Sequence, residues 1–221
     1  MPGSLTVVIN AAGIGSRLDY GLPKCLVPVL GRPLLDWQLD LLGEVEVVVV
    51  AGFRAADVAE HLRQVRPDVP VVLNHRFRDT GTAGSLRLGA ALAQDWVVSL
   101  DGDLLVDPRY LRQWITAEGR LIGITPSVSL EAVGVEVDDE GMARAMGFEI
   151  VSDMEWNGLL RMPREEVLEF GDAHVFESLR GCLPIPVAAG DCVEVDHPRD
   201  LDRAADWLAT RVDETRSTWT S

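Results

Sequence analysis

The chain contains a single lysine. The other nineteen basic side chains among its 221 residues are arginine. Arginine presents a flat fork of donors, whereas lysine presents a compact charge on a flexible stem. A position that keeps lysine in such a background points to a need for the point charge, and that position is Lys24. Cysteine is scarce as well. Cys25, Cys182 and Cys192 are odd in number and lack ligand spacing, which excludes a disulfide framework and a zinc cluster and suits a reducing compartment. No apolar run approaches the roughly 20 residues of a membrane span. An apolar strand begins almost at once in MPGSLTVVIN, so no signal peptide is expected and the protein reads as cytoplasmic. Positive charge is also in short supply, with a formal net charge of −15. That balance argues against nucleic acid or an anionic membrane as partner. A polyphosphate ligand would then need local cations and a divalent metal, with the long-range repulsion screened beyond about 8 Å.

What the sequence does have is alternation. Thr6–Asn10, Val45–Ala51, Val69–Asn74 and Trp96–Leu100 read as buried strands. Helical patterns over Pro33–Leu42, Ala55–Gln64 and Thr82–Gln94 lie between them. This spacing predicts parallel βαβ units, hence an α/β fold with a doubly wound, mostly parallel, Rossmann-like sheet. Ligands of such sheets sit beyond the carboxyl ends of the strands. After a helix at Pro108–Ile115 and a strand at Leu121–Thr125, the pattern shortens. Val133–Asp138, Phe148–Val151 and Trp156–Met162 predict a β-rich inserted arm, about 126–162, over the crevice. Two short helical segments, a strand at Asp191–Val195 and a helix from Pro198 follow. The expected organisation is one domain over 1–212 and a frayed tail over 213–221. A chain this long can bury roughly 70–75% of its unfolded surface, so folding requires no disulfide or metal.

Four segments at or after strand ends carry chemistry. In Ala11-Ala12-Gly13-Ile14-Gly15-Ser16-Arg17 a glycine turn can cradle an anion with backbone N–H groups. It is not a dinucleotide fingerprint, because the third glycine is replaced by Leu18. It is not a Walker loop, because Lys24 comes nine residues after Gly15 with no Ser or Thr following. Asp101-Gly102-Asp103 places two carboxylates at a buried strand end, where Mg²⁺ shared with phosphate oxygens would fit; Asp103 is the favoured ligand. Glu194-Val195-Asp196-His197-Pro198 ends the last strand, with Glu194 and Asp196 on one face and Asp196 also suited to capping the next helix. Thr80-Gly81-Thr82-Ala83-Gly84-Ser85 opens a helix with small residues and hydroxyls; it is either a nucleobase contact or a plain capped turn.

Taken in order, these residues resemble the nucleotidyltransferase superfamily that makes nucleoside-diphosphate sugars and alcohols. AAGIGSRLDYGLPKCLVPVLGRPLLDWQ is similar to its AAG-x-G-[ST]-R, P-K-x-L and G-[KR]-P-L-[LI] signature, and VVVAGF, Asn74 through Ser85-Leu86, LDGDLLVD and EVDHPRDLDRA follow in the family's order. Within the superfamily the chain looks most like the small cytidylyltransferases acting on phosphocholine or phosphonates. The resemblance implies that Ala11, Ala12, Gly13, Gly15, Ser16, Thr82 and Ser85 contact the nucleotide, that Arg17 and Lys24 hold the triphosphate, and that Asp103 and Asp196 bind Mg²⁺. It also implies CTP as favoured donor and a small phosphate or phosphonate acceptor, near Glu155, Trp156 and Asn157. Asn10 departs from the pattern, since an apolar residue usually precedes AAG. Three alternatives stay open: a sugar- or cyclitol-1-phosphate guanylyl- or uridylyltransferase, a molybdopterin-type guanylyltransferase (which the Arg17–Lys24 spacing fits less well), and a non-catalytic nucleotide-binding paralogue. A homodimer through the arm is a further option.

Overall fold

The structure is a computed structural model that describes residues 3–15, 17–18, 20–127 and 132–211. Ser16 and the proposed tail lie outside the described residues. In chain order the first half comprises β1 (Leu5–Ala11), β2 (Pro28–Val29), β3 (Arg32–Pro33), α1 (Leu34–Leu42), β4 (Glu46–Ala51), α2 (Ala55–Val65), β5 (Val71–Leu73), α3 (Thr82–Ala90) and β6 (Trp96–Asp101). There follow β7 (Leu104–Val106), α4 (Pro108–Thr116), β8 (Leu121–Pro126), β9 (Gly134–Val137), β10 (Met142–Gly147) and β11 (Met154–Pro163). The last elements are α5 (Arg164–Leu168), α6 (Val175–Leu179), β12 (Ile185–Ala189), β13 (Cys192–Glu194) and α7 (Pro198–Ala209). None of the described helices is long and apolar enough to cross a membrane.

Nine strands form one sheet in the order β5-β4-β1-β6-β11-β8-β12-β10-β9. The β5-β4-β1-β6 half is parallel, as the βαβ spacing requires. Runs of Val and Ile bury both faces of these strands. Val7, Ile9 and Val49 pack on one side with Leu35, Leu39, Val58, Leu62 and Trp114 from α1, α2 and α4. Val8 and Val50 pack on the other with Ala83, Leu86, Val175, Phe176 and Leu179 from α3 and α6. Helices on both faces make the sheet doubly wound.

The second half differs from the sequence reading in register and placement. β11 is an interior strand of the main sheet, antiparallel to both β6 and β8. The strand expected at Phe148–Val151 lies earlier, at β10. Burial decides this: Ala143 and Met146 face the core, whereas Phe148 and Val151 are exposed. A run of β-branched residues is a weaker signal than packing against a neighbouring strand. β12 carries no such run, and the sequence reading missed it.

A small third cluster sets the site. Val27, Val29, Leu34, Leu105, Val193, Val195, Ala204 and Leu208 pack together. They join α7 and the antiparallel β13–β7 pair to the segment just after Lys24. This packing brings three distant stretches of chain to the carboxyl end of β6.

Candidate active site

The parallel register lines up strand ends. Asn10 pairs with Asp101 and Ala11 with Ala51, so the loops after β1, β4 and β6 leave the sheet at one level. The Asp101–Asp103 turn is tied down from two sides. Gly102 N–H donates to the Asn10 carbonyl at 3.0 Å. The buried Gln38 amide donates to the carbonyls of Asp101 (2.7 Å) and Leu104 (2.8 Å). A Cβ on Gly102 would stand 3.1 Å from the Asn10 carbonyl oxygen and 3.3 Å from Ala11 Cα, so the close approach uses its lack of a side chain. From the other side, β13 pairs with β7, and Val195 N–H donates to the Asp103 carbonyl at 3.0 Å. Asp196 is thereby set beside Asp103.

Lys24 lies between these two carboxylates. Its Nζ donates to Asp103 Oδ2 at 2.8 Å and also to Asp196 Oδ1. Arg17, half exposed, pairs with Asp196 Oδ2 at 3.2 Å. Burial works to lower the Lys24 pKa, but the Asp103 and Asp196 carboxylates outweigh it and hold the ammonium above its ordinary value. Gly15 adopts φ +63°, and a Cβ there would stand 2.5 Å from Lys24 Cγ. The loop glycine therefore makes room for the lysine stem as well as for the turn.

Two carboxyls unassigned by the sequence reading complete the cluster. Burial and the adjacent Asp103 charge push the Asp101 carboxyl up to about 7, against the hydrogen bond it accepts from Asn10 at 3.2 Å. Asn10 also donates to Ser99 Oγ at 2.9 Å, so its amide N–H groups find partners in neighbouring side chains, while its buried Oδ1 has none among the described residues. Desolvation, then Asp103, Asp196 and Asp101, push the Glu194 carboxyl up to about 8, although the residue is exposed at the surface. The alternation that placed Glu194 beside Asp196 was a usable signal for it. Asp196 itself caps nothing; Asp200 accepts from the amides of Asp196 (3.0 Å) and His197 (2.8 Å) and leaves the Asp196 carboxylate to the cluster. Cys25 is buried here, and burial pushes its thiol up to about 12, which removes it as a nucleophile.

Asp103, Glu194 and Asp196 each offer a carboxylate oxygen within 4.8 Å of the others. Hard oxygen donors in this number suit Mg²⁺ completed by water and phosphate. The Lys24 ammonium is already seated against two of them, Asp103 and Asp196.

The remaining sequence candidates are placed around this centre. A bulge in β11 between Trp156 and Leu160 carries Gly158, at φ +88°, against Asp101; a Cβ there would lie 2.9 Å from Asp101 Oδ2. Asn157 beside it donates to the Tyr110 hydroxyl at 3.4 Å and accepts from Leu159 N–H at 3.2 Å. Glu155 is buried and accepts from Ser127 Oγ at 3.3 Å. The Trp156 indole donates to the Leu159 carbonyl at 3.2 Å, and its ring leans on Phe176 with centroids 6.5 Å apart. Thr82 and Ser85 sit at the start of α3. Thr82 Oγ1 accepts from Val175 N–H at 3.2 Å and Ser85 Oγ from Asn74 Nδ2 at 3.0 Å. Each hydroxyl keeps its own proton for donation. The glycines of that segment serve packing: a Cβ on Gly81 would overlap the Ala173 carbonyl, and one on Gly84 would lie 2.9 Å from Thr80 Cβ.

Residues 7–128 match the MobA-like NTP transferase domain. The chain is 30% identical over 177 residues to the bifunctional protein GlmU of Ruegeria sp. (strain TM1040), covering 77% of this chain and 35% of that protein. It thus spans about a third of the length of this curated relative. Among solved structures it is similar to the inositol-1-phosphate CTP transferase from T. maritima, with TM-score 0.78, 21% identity and coverage of 96% and 97% of the two chains. It is also similar to the CTP:phosphocholine cytidylyltransferase from Streptococcus pneumoniae, with TM-score 0.73, 18% identity and coverage of 93% and 99%. These two likenesses establish the nucleotidyltransferase fold.

Proposed function

From the premise that this chain belongs to the MobA-like NTP transferase domain family, we propose that it transfers a nucleoside monophosphate from a nucleoside triphosphate to a small phosphate or phosphonate acceptor. An acceptor oxygen forms a new bond to the α-phosphorus. The bond from that phosphorus to the bridging oxygen breaks, and pyrophosphate leaves with the electron pair. The acceptor oxygen is already anionic, so no general base is needed, and the protein's contribution is positioning and charge neutralisation.

One observation carries this reading: the lone lysine stands at the end of the glycine loop, against Asp103 and Asp196. Backbone N–H groups of the Ala11–Gly15 turn are the proposed cradle for the triphosphate, with Arg17 and Lys24 as its cations. Asp103 and Asp196, with Glu194 beside them, would hold Mg²⁺, which supplies charge neutralisation at the phosphates when bound. Thr82 and Ser85 are the proposed hydroxyl donors to the base, and Glu155, Trp156 and Asn157 the proposed acceptor wall. CTP is the favoured donor because the names of both structural neighbours specify it. Three free thiols suit a reducing, cytoplasmic setting.

The test is calorimetric titration with CTP, UTP, GTP and ATP, each with Mg²⁺, followed by pyrophosphate release with inositol 1-phosphate and phosphocholine. CTP binding and pyrophosphate release with either acceptor is the expected outcome. Stronger binding of UTP or GTP reassigns the donor. No binding of any of the four refutes the reading. Lys24→Ala is expected to lose turnover on the order of 10²–10³-fold, as for other preorganised charges at a reacting centre.

A further inference from the structure

The turn after β4, Gly52-Phe53-Arg54, has no role in the chemistry above, yet it touches the glycine loop near both ends. At the start of the loop, Phe53 N–H donates to the Ala12 carbonyl at 3.0 Å. The approach is close, since a Cβ on Gly52 would stand 2.7 Å from that oxygen and 2.6 Å from Phe77 Cβ. Near the end of the loop, the Arg54 guanidinium donates through Nη1 to the Gly21 carbonyl, three residues before Lys24. Asp57 Oδ2 lies 2.5 Å from Nε of the same guanidinium as an ion pair.

The backbone of Arg54 is in the left-handed region, φ +46° and ψ +41°, as the residue preceding α2. A non-glycine residue there costs on the order of 1 kcal/mol, which glycine would avoid. A strained arginine whose side chain spans two loops is an outlier that calls for a function. We propose that Arg54 is a positioning residue: it braces the Gly21–Lys24 stretch so that Lys24 is held in place for the triphosphate. It acts on the reaction through that stretch, and this inference rests on the proposed nucleotidyl transfer for its catalytic consequence alone.

The test combines Arg54→Gly and Arg54→Lys with two readouts. Hydrogen exchange of the peptide spanning residues 20–26 reports the brace without reference to activity. KM for the triphosphate and kcat report its consequence. Arg54→Gly should melt near the wild-type temperature, because the relief of the strained φ offsets the lost side-chain contacts. It should nevertheless exchange faster over 20–26, raise KM about tenfold (the lower end for a lost charge-assisted hydrogen bond) and lower kcat. Arg54→Lys should fall between the two proteins. Unchanged exchange in Arg54→Gly overturns the brace, whatever the activity. Faster exchange with KM and kcat unchanged overturns the positioning role. Failure of the wild-type protein to transfer any nucleotide would refute the proposed function, and the exchange result would still decide the brace.

Discussion

Lys24 and a divalent cation compete for the same oxygens, and replacing the lysine should expose that competition. The Nζ is 2.8 Å from Asp103 Oδ2 and also bonded to Asp196 Oδ1, with 17% of the side chain exposed. A hydrogen bond to a charged group contributes on the order of 1.5–3 kcal/mol. Freeing both carboxylates from the ammonium therefore costs about 3 kcal/mol at the lower bound of two such bonds. In the absence of nucleotide the wild-type protein should accordingly bind Mn²⁺ roughly 10²-fold more weakly than Lys24→Met. Triphosphate offers the ammonium a new partner, so it should restore Mn²⁺ affinity to the wild type and add less to the variant. Electron paramagnetic resonance of free Mn²⁺ measures both proteins, with Asp103→Asn as the control that loses the site. If Lys24→Met binds Mn²⁺ no more tightly than the wild type, the competition does not exist. A wild-type protein whose Mn²⁺ affinity is unchanged by triphosphate would refute it without recourse to a variant.

Other consequences are as direct. Asp103→Asn should lower turnover on the order of 10²–10³-fold while leaving the melting temperature near or above that of the wild type, because it also relieves the charge that pushes Asp101 and Glu194 up; pyrophosphate release and a thermal melt check it. Gly15→Ala must adopt φ +63° with a Cβ 2.5 Å from Lys24 Cγ, so about 1 kcal/mol of stability should go and, through displacement of the lysine, about 10²-fold in kcat; unchanged kcat would mean the stem is not held by this glycine. In EDTA the protein should lose stability as pH rises from about 4 to 8: Asp101 and Glu194 keep their protons up to about 7 and 8 when folded and give them up near 4 when unfolded. Lys24, held above its usual value, contributes throughout that window. Mg²⁺ should therefore raise the melting temperature more at pH 8 than at pH 5, and an equal rise at both would contradict the assignment of these carboxyls.

The parallel half of the fold was legible because its signals were redundant. In β1, β4 and β6 the β-branched runs, the strand length and the following turn all agree, and the expected and observed bounds differ by a residue or so. The second half depends on partners the sequence does not name. MARAMG in β10 has little strand preference and becomes a strand because Ala143 and Met146 meet the core, while the more strand-like Phe148–Val151 stays outside. The same division holds at the site. Lys24, Asp103 and Asp196 stand out by composition and by position after strand ends. Gln38 does not, because an amide in the middle of an amphipathic helix looks like a surface residue until its two carbonyl acceptors are seen. Arg54 is equally silent, since its meaning lies in a backbone angle.

The net charge of −15 made polyphosphate an awkward ligand for this chain, and the site sharpens that difficulty. Asp101, Asp103, Glu194 and Asp196 face Lys24 and Arg17, so carboxylates outnumber cations even where the triphosphate would lie. Two features reduce the mismatch. Raised to about 7 and about 8, the Asp101 carboxyl is about half and the Glu194 carboxyl mostly protonated at neutral pH. This lowers the negative charge that Lys24 and Arg17 must balance beside Asp103 and Asp196. The ammonium that balances them is also a cation suited to bind phosphate. A triphosphate arriving alone would draw Lys24 away and strip the carboxylates of their counter-charge. Arriving with a divalent cation it would replace that charge as it takes the lysine. The acidic character of the site thus favours the metal–nucleotide pair over either component by itself, and a lysine serves this exchange better than an arginine, whose planar fork would remain paired to the carboxylates.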